Sequence, residues 1–374
     1  MEENTPKKGR IKRILLKVLV VFLAVLLLLV SAAMLYMNYL LNRINRNDPA
    51  VEHTVSSSEA DAFLGAGDDL IATTPPGTET LPDINDITFP TEPQTTAPAV
   101  TVPAKPAPQI YGDHLVNIML VGQDRREGEI RARSDTMILV SFNKSDNTIT
   151  LTSFMRDMYV QIPGYKPNRM NAAYAFGGMN LLTRTMETNF GVKLDGMVEV
   201  DFGSFQKIIE LLGGVRVTLT APEAKYLNDL YYEAKILDSP VVVGENLLDP
   251  KQAEVFVRLR EIDSDYRRTE RQRQVISSLI RAYKDQPLDR MLSLMEEILP
   301  YVTTNLTNGQ ILGYAIELLP MLPSAQINTL RLPLEGTYES GRVHIREGLY
   351  AWLQYNIDFQ ANKVALFEVF RNKG

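Results

Sequence analysis

The sequence predicts an α/β fold, with a central mixed β-sheet sandwiched by helices behind an N-terminal single transmembrane helix. Apolar runs at 135–142 (DTMILVSF) and 148–154 (TITLTSF) flank the turn Lys144-Ser145-Asp146-Asn147, which reads as an antiparallel hairpin. Beyond Asn171, helical and strand patterns alternate, the order that lays helices over a sheet. The hairpin makes that sheet mixed rather than wholly parallel. An uncharged run near the N-terminus predicts the anchor.

That run covers 18–42, and 18–36 read VLVVFLAVLLLLVSAAMLY. About 20 apolar residues cross a bilayer core as a helix. Lys7, Lys8, Arg10, Lys12, Arg13 and Lys17 precede it. The positive-inside rule then predicts a cytoplasmic basic tail over 1–17 and an extracytoplasmic chain after 42. The competing reading is a cleaved signal peptide ending near Val30-Ser31-Ala32, but the run exceeds the usual ~7–15 apolar residues.

Residues 43–108 are expected to be a disordered linker. Ten of the 21 prolines fall in 48–108, with ten Asp or Glu against one Lys. Such composition buries too little apolar surface to offset ordering entropy. A globular domain is expected over 109–374. Its first strand is 114–121 (HLVNIMLV), followed by the hairpin. A helix is expected over 171–190, interrupted at Gly177-Gly178, and then a strand at 197–200. A helix at 202–212 closes on Gly213-Gly214 before a strand at 215–219. Residues 221–249 look irregular. Helices are expected at 250–259, 266–283, 288–298, 308–319 and 346–354, and one more strand at 327–332.

Composition excludes several chemistries. There is no cysteine, so no disulfide, thiolate metal site or Cys nucleophile. The three histidines, His53, His114 and His344, lie far apart in sequence, which leaves little for a zinc site or a Ser-His-Asp triad. The domain carries 30 basic against 33 acidic residues, a balance that argues against nucleic acid as partner.

Asp and Arg instead cluster at strand ends. The first strand runs into Gln123-Asp124-Arg125-Arg126, Arg133-Ser134-Asp135 precedes the second, and the third ends in Arg156-Asp157. Strand ends are where α/β proteins build sites. Further on comes Arg258-Leu259-Arg260, then a helix carrying Asp265, Arg268, Arg271 and Gln272. Arg268 and Gln272 stand at i, i+4, in line with the apolar Val275 and Leu279. Arginine forks bind phosphate bidentately, aspartates hold Mg²⁺, and an aspartate accepts a proton from a hydroxyl. Those are the parts for phosphoryl transfer on a pyrophosphate. No Walker motif or kinase-type glycine loop is present, so the ligand need not be a nucleotide.

At these residues the chain resembles the LytR-CpsA-Psr family of bacterial cell-wall glycopolymer ligases. The resemblance covers about 115–319. It is carried by NIMLVGQDRR (117–126), RSDTMILVSFN (133–143), LTSFMRDMYVQIPGY (151–165), RMNAAYAFGG (169–178), VEVDFGSF (198–205), LLGGV (211–215), FVRLR (256–260) and DSDYRRTERQRQ (263–274). TTNLT (303–307) is similar to a later family segment. The resemblance implies transfer of a glycopolymer from a polyprenyl-pyrophosphate carrier to the C6 hydroxyl of peptidoglycan N-acetylmuramic acid, leaving a phosphodiester. It implies Mg²⁺, or Mn²⁺ in its place, on Asp124 and Asp135, with these two and Arg133 catalytic. Arg133, Arg156, Arg258, Arg260, Asp265, Arg268 and Gln272 are the implied pyrophosphate set. An apolar lipid pocket is also implied, with Ile208, Ile209, Leu211, Leu212, Val275, Ile276 and Leu279 as candidate lining.

The chain departs from the family's pattern in three places. Arg267 stands where glycine is usual, Phe154-Met155 where Ile-Pro is usual, and Asp201 where Asn is common. The implied partners are the lipid-linked polymer (teichoic acid or capsule polysaccharide), peptidoglycan and the cell membrane. Two other functions use the same parts: a polyprenyl-pyrophosphate hydrolase, and a non-catalytic envelope module for regulation or binding.

Overall fold

The computed structural model describes residues 35–36, 38–46, 81–87, 89, 112–123, 134–346 and 349–371. The apolar run lies outside them up to residue 34, and among the described residues no helix is long and apolar enough to cross a membrane.

In chain order the elements are β1 (Asn45–Arg46), β2 (Leu115–Gln123), β3 (Ser134–Asn143), β4 (Thr148–Phe154), β5 (Tyr159–Val160), β6 (Asn168–Arg169) and α1 (Met170–Phe190). Then come β7 (Gly196–Asp201), α2 (Phe202–Leu211), β8 (Val215–Leu219), α3 (Ala221–Tyr232), β9 (Gly244–Leu248), α4 (Pro250–Arg258) and α5 (Asp265–Lys284). The chain closes with α6 (Leu288–Ile298), β10 (Thr303–Thr304), α7 (Asn308–Leu318), β11 (Gln326–Leu332), β12 (Glu339–Arg346), β13 (Leu349–Tyr355) and α8 (Phe359–Phe370).

Seven strands form the main sheet in the order β1-β10-β7-β2-β3-β4-β11. Strands β2, β3 and β4 run antiparallel through the expected hairpin, while β7 and β11 join parallel to β2 and β4. The sheet is therefore mixed, as the sequence predicts. Alternation along the strands assigns its two faces. Met119, Val121, Met137 and Leu139 point into a core with α1 and α8. Ile118, Leu120, Ile138 and Val140 point the other way, towards Ile276 and Ile280 of α5 and Tyr314 and Leu318 of α7. A satellite core joins β8, β9, α3 and α4.

The interruption expected in α1 is present. Gly177 and Gly178 leave helical geometry, and Gly178 sits at φ 56°, ψ −149°, which only glycine adopts without strain.

Three expectations are corrected. Residues 221–249 are irregular over 233–243 but not throughout. Thr220 and Glu223 form a reciprocal capping box that opens α3, and β9 pairs with β8. Residues 346–354 are not a helix: β12 and β13 make an antiparallel hairpin there, with Ala351, Leu353 and Tyr355 buried and Trp352 exposed. The linker reading does not hold at 43–46 and 81–87. Leu40, Leu41 and Ile44 bury against Leu299, and β1 then pairs with β10 at the sheet edge. Asp83 accepts a 2.8 Å hydrogen bond from His344 Nδ1. A few apolar side chains suffice to dock these pieces, which average composition conceals.

Candidate active site

The β3–β4 register sets Ile138 opposite Ser153, so the start of β3 lies beside the end of β4. Asp135 and Arg156 therefore come together from either side of the hairpin. Helix α5 starts at Asp265 and presents Asp265, Arg268 and Gln272 at i, i+3, i+7, one face of the helix. The segment leaving α4 brings in Arg260.

These groups form one charged cluster. Arg156 Nη1 donates to Asp135 Oδ1 at 3.0 Å, and Arg260 Nη2 reaches the same oxygen at 3.4 Å. Arg156 Nε lies 3.3 Å from Asp157 and 3.7 Å from Asp265 Oδ1. Arg268 Nη2 sits 2.6 Å from that same Asp265 oxygen. Arg169, 3.5 Å from Asp157, closes the network beneath.

Arg268 is the unusual member. It is only 1% exposed, and among the described residues its Nε and Nη1 have no hydrogen-bond partner. Burial pushes its pKa down to about 10, against the attraction of Asp265 and with repulsion from Arg156 and Arg260. A guanidinium held this way is short of an acceptor, and an anion beside it would relieve that cost. Asp135 is shifted by opposing causes. Burial raises its pKa, but Arg156, Arg268 and Arg260 together hold it below the usual aspartate value. It is an anion at neutral pH.

Two members of this cluster, Asp135 and Gln272, also line a cavity of about 620 Å³. Gln123, Asp135, Thr136, Asp201 and Gln272 supply most of its polar lining. The rest is nearly all apolar: the half-covered sheet face (Ile118, Leu120, Val140, Val198, Val200), with Phe202, Phe205, Val275, Ile276, Leu279, Tyr314 and Leu318 from α2, α5 and α7. Well-packed interiors leave few voids larger than a water molecule, so a cavity this size is built for a ligand. Of the lining expected from sequence, Ile208, Leu212, Val275, Ile276 and Leu279 are present. Ile209 and Leu211 are not. Ile209 turns instead into the satellite core.

The structure thus gathers Asp135, Arg156, Arg260, Asp265, Arg268 and Gln272. Arg258 pairs with Glu254 at 2.8 Å and stacks on Phe202, a residue of the cavity wall. Asp124 and Arg133 lie outside the described residues. Arg271, expected beside Arg268, turns away and is held by Asp263, Glu223 and the Leu259 carbonyl, so it is a structural strut. Asp157 and Arg169 are cluster members that the sequence reading left out of its candidate set. The Arg156-Asp157 doublet was their signal.

Of the two acids implied as metal ligands, only Asp135 lies among the described residues. Both arginines take Asp135 Oδ1, and no described residue bonds Oδ2. Among the described residues no group of three or more His, Asp or Glu side chains could hold an ion. One carboxylate facing a phosphate site fits the way Mg²⁺ is bound, through one or two carboxylates plus substrate oxygens.

The sequence model of the LytR_cpsA_psr family matches residues 91–355. The chain belongs to this family. Among LytR-CpsA-Psr relatives, the Bacillus subtilis (strain 168) protein named polyisoprenyl-teichoic acid–peptidoglycan teichoic acid transferase TagT is 33% identical over 219 residues, 57% of this chain and 66% of that one. The Oceanobacillus iheyensis transferase TagU is 32% identical over 62% of this chain and 71% of its own. The Staphylococcus aureus regulatory protein MsrR is 27% identical over 69% and 76%. A solved structure of TagT bound to LIIa-WTA superposes with a TM-score of 0.54 at 28% identity, covering 68% of this chain and 91% of that one. Another, of YwtF (TagT) with bound octaprenyl pyrophosphate lipid, gives 0.50 at 25%, covering 70% and 90%.

Proposed function

We propose that this protein transfers a glycopolymer from a polyprenyl-pyrophosphate carrier to the C6 hydroxyl of N-acetylmuramic acid in peptidoglycan. The observation that carries this reading is that Asp135, which holds Arg156 and Arg260, and Gln272 also line the apolar cavity. A ligand with a diphosphate at one end and a prenyl chain at the other matches both parts at once. The transferase names of the relatives, and the octaprenyl pyrophosphate bound to one of them, support it.

In this reading Arg156, Arg260, Arg268 and Gln272 bind the diphosphate, Arg133 belongs to the same binding set, and Arg258 stands at the cavity wall over Phe202. The acceptor oxygen attacks the sugar-bearing phosphorus. A new P–O bond forms, the bridging P–O bond breaks, and polyprenyl phosphate leaves with that bond's electron pair. The acceptor's proton passes to Asp124 or Asp135. Charge neutralisation and positioning do most of the work in phosphoryl transfer. Mg²⁺ (or Mn²⁺), held by Asp135 and Asp124, would draw charge off the phosphate oxygens. The long apolar run and its basic flank support a single-pass cell-membrane protein with a cytoplasmic N-terminus and the domain outside.

The test supplies the full-length protein in detergent with a polyprenyl-pyrophosphate-linked glycopolymer, Mg²⁺ and peptidoglycan oligomers. The expected product is polymer joined to the oligomer through a phosphodiester. Cleavage of the carrier at one rate with or without the oligomer would assign a hydrolase instead. Carrier binding with no cleavage would leave a non-catalytic module.

A further inference from the structure

Helix α5 carries a second basic set on another face. Tyr266, Glu270 and Arg273 recur at i, i+4, i+7, about 140° round the helix from Asp265, Arg268 and Gln272 at ~100° per residue. With Arg267 and residues Thr329–Arg331, Leu334 and Glu335 they enclose a separate pocket of about 360 Å³. The Arg331 guanidinium lies 4.2 Å over the Tyr266 ring, which fixes one wall.

Charge in this pocket does not close on itself. Arg267 pairs with Glu270 at 2.8 Å, and Arg331 approaches Glu335 at 3.7 Å. Arg273 makes no ion pair within 4 Å among the described residues, and its buried Nη1 has no hydrogen-bond partner. The buried Nε of Arg331 lacks one too. Three arginines against two glutamates leave the pocket lining one positive charge in excess, and two of the arginine nitrogens lack a hydrogen-bond partner, a combination that favours an oxyanion. Tyr266 of this pocket is the chain neighbour of Asp265 in the charged cluster, so one helix carries both sets, on different faces.

We propose that this pocket is a second anion subsite, taking a phosphate or carboxylate of the saccharides that meet at the diphosphate site. Both sources share the chemistry: phosphates of the donor polymer, or stem-peptide carboxylates of the acceptor. The proposal rests on the transfer reading for its ligand, but its first test does not.

Full-length protein in detergent is loaded with octaprenyl pyrophosphate to fill the first site, then titrated with inorganic phosphate. Saturable binding is expected, weakened about ten-fold or more by Arg273→Gln and by Arg331→Gln, with Arg273→Lys intermediate. Melting curves check that each variant folds, and two variants guard against a single misfolded one. No saturable phosphate binding, or binding indifferent to both variants, overturns the subsite and leaves the transfer reading standing. Loss of transfer with phosphate binding intact would do the reverse. In the transfer assay, Arg273→Gln is expected to raise KM. If the rise disappears with amidated stem peptides, the acceptor supplies the anion. If it disappears with a phosphate-free donor saccharide, the donor supplies it. An unchanged KM with all substrates overturns the proposal.

Discussion

Arg156 and Asp135 meet at 3.0 Å across the β3–β4 hairpin, and the same arginine also faces Asp157 and Asp265. It is 9% exposed. One side chain thus holds three carboxylates from three segments. Arg156→Ala leaves those acids without their shared cation. Breaking a buried ion pair from one side costs about 3–5 kcal/mol. Unfolding in urea should show a loss of that order together with loss of transfer, while Arg156→Lys restores part of the stability and little of the activity.

Arg268 should behave differently. Its burial is a standing cost that the pair with Asp265 only partly offsets, and Asp265 keeps Arg156 nearby, so Arg268→Met is expected to destabilise the free protein less than Arg156→Ala does. Octaprenyl pyrophosphate should raise the melting temperature of the native protein and barely move that of the variant. Equal shifts in both would show that no diphosphate touches this guanidinium.

Asp135 gives a pH signature. Its folded-state pKa lies below the unfolded one, so its contribution to stability is complete above the unfolded value and is lost as pH falls through the folded one. Native protein should exceed Asp135→Asn in stability at neutral pH. The gap should narrow as pH drops below about 4, the ordinary aspartate range. Urea unfolding of both from neutral pH down to pH 3 checks it.

The cavity makes a chain-length prediction. Ala315 of α7 lines it. Ala315→Phe puts a ring into open space, so stability should hold. Affinity for octaprenyl pyrophosphate should fall about ten-fold or more, roughly 1.4 kcal/mol. A short, water-soluble prenyl pyrophosphate should bind as before. Equal losses for both would place the lipid elsewhere.

The strands that build the site were legible because their apolar runs end in Asp or Arg. Asp135, Arg156, Asp265 and Arg268 could be named from sequence, and the fold brings them together. The cavity could not be read in the same way. Ile208 and Leu212 line it while Ile209, between them, packs a different core, a distinction set by helix rotation. Arg271 shows the same limit: it lies near a site arginine in sequence, yet Asp263 and Glu223 turn it aside. The β13 hairpin was misread because Glu347, Ala351, Leu353 and Gln354 favour helices. The period-two burial of Ala351, Leu353 and Tyr355 won through tertiary packing. The capping box at Thr220 and Glu223 is a sequence signal that marks the start of α3.

The account centres on one diphosphate lying between the arginine cluster and the apolar cavity. A crystal structure of this protein with a polyprenyl pyrophosphate tests it most directly. The diphosphate is predicted within hydrogen-bonding reach of Arg156, Arg260 and Arg268, with the prenyl chain running between the sheet face and helices α5 and α7. Density for the diphosphate away from Arg268, or a cavity left empty while the lipid binds another surface, would contradict it.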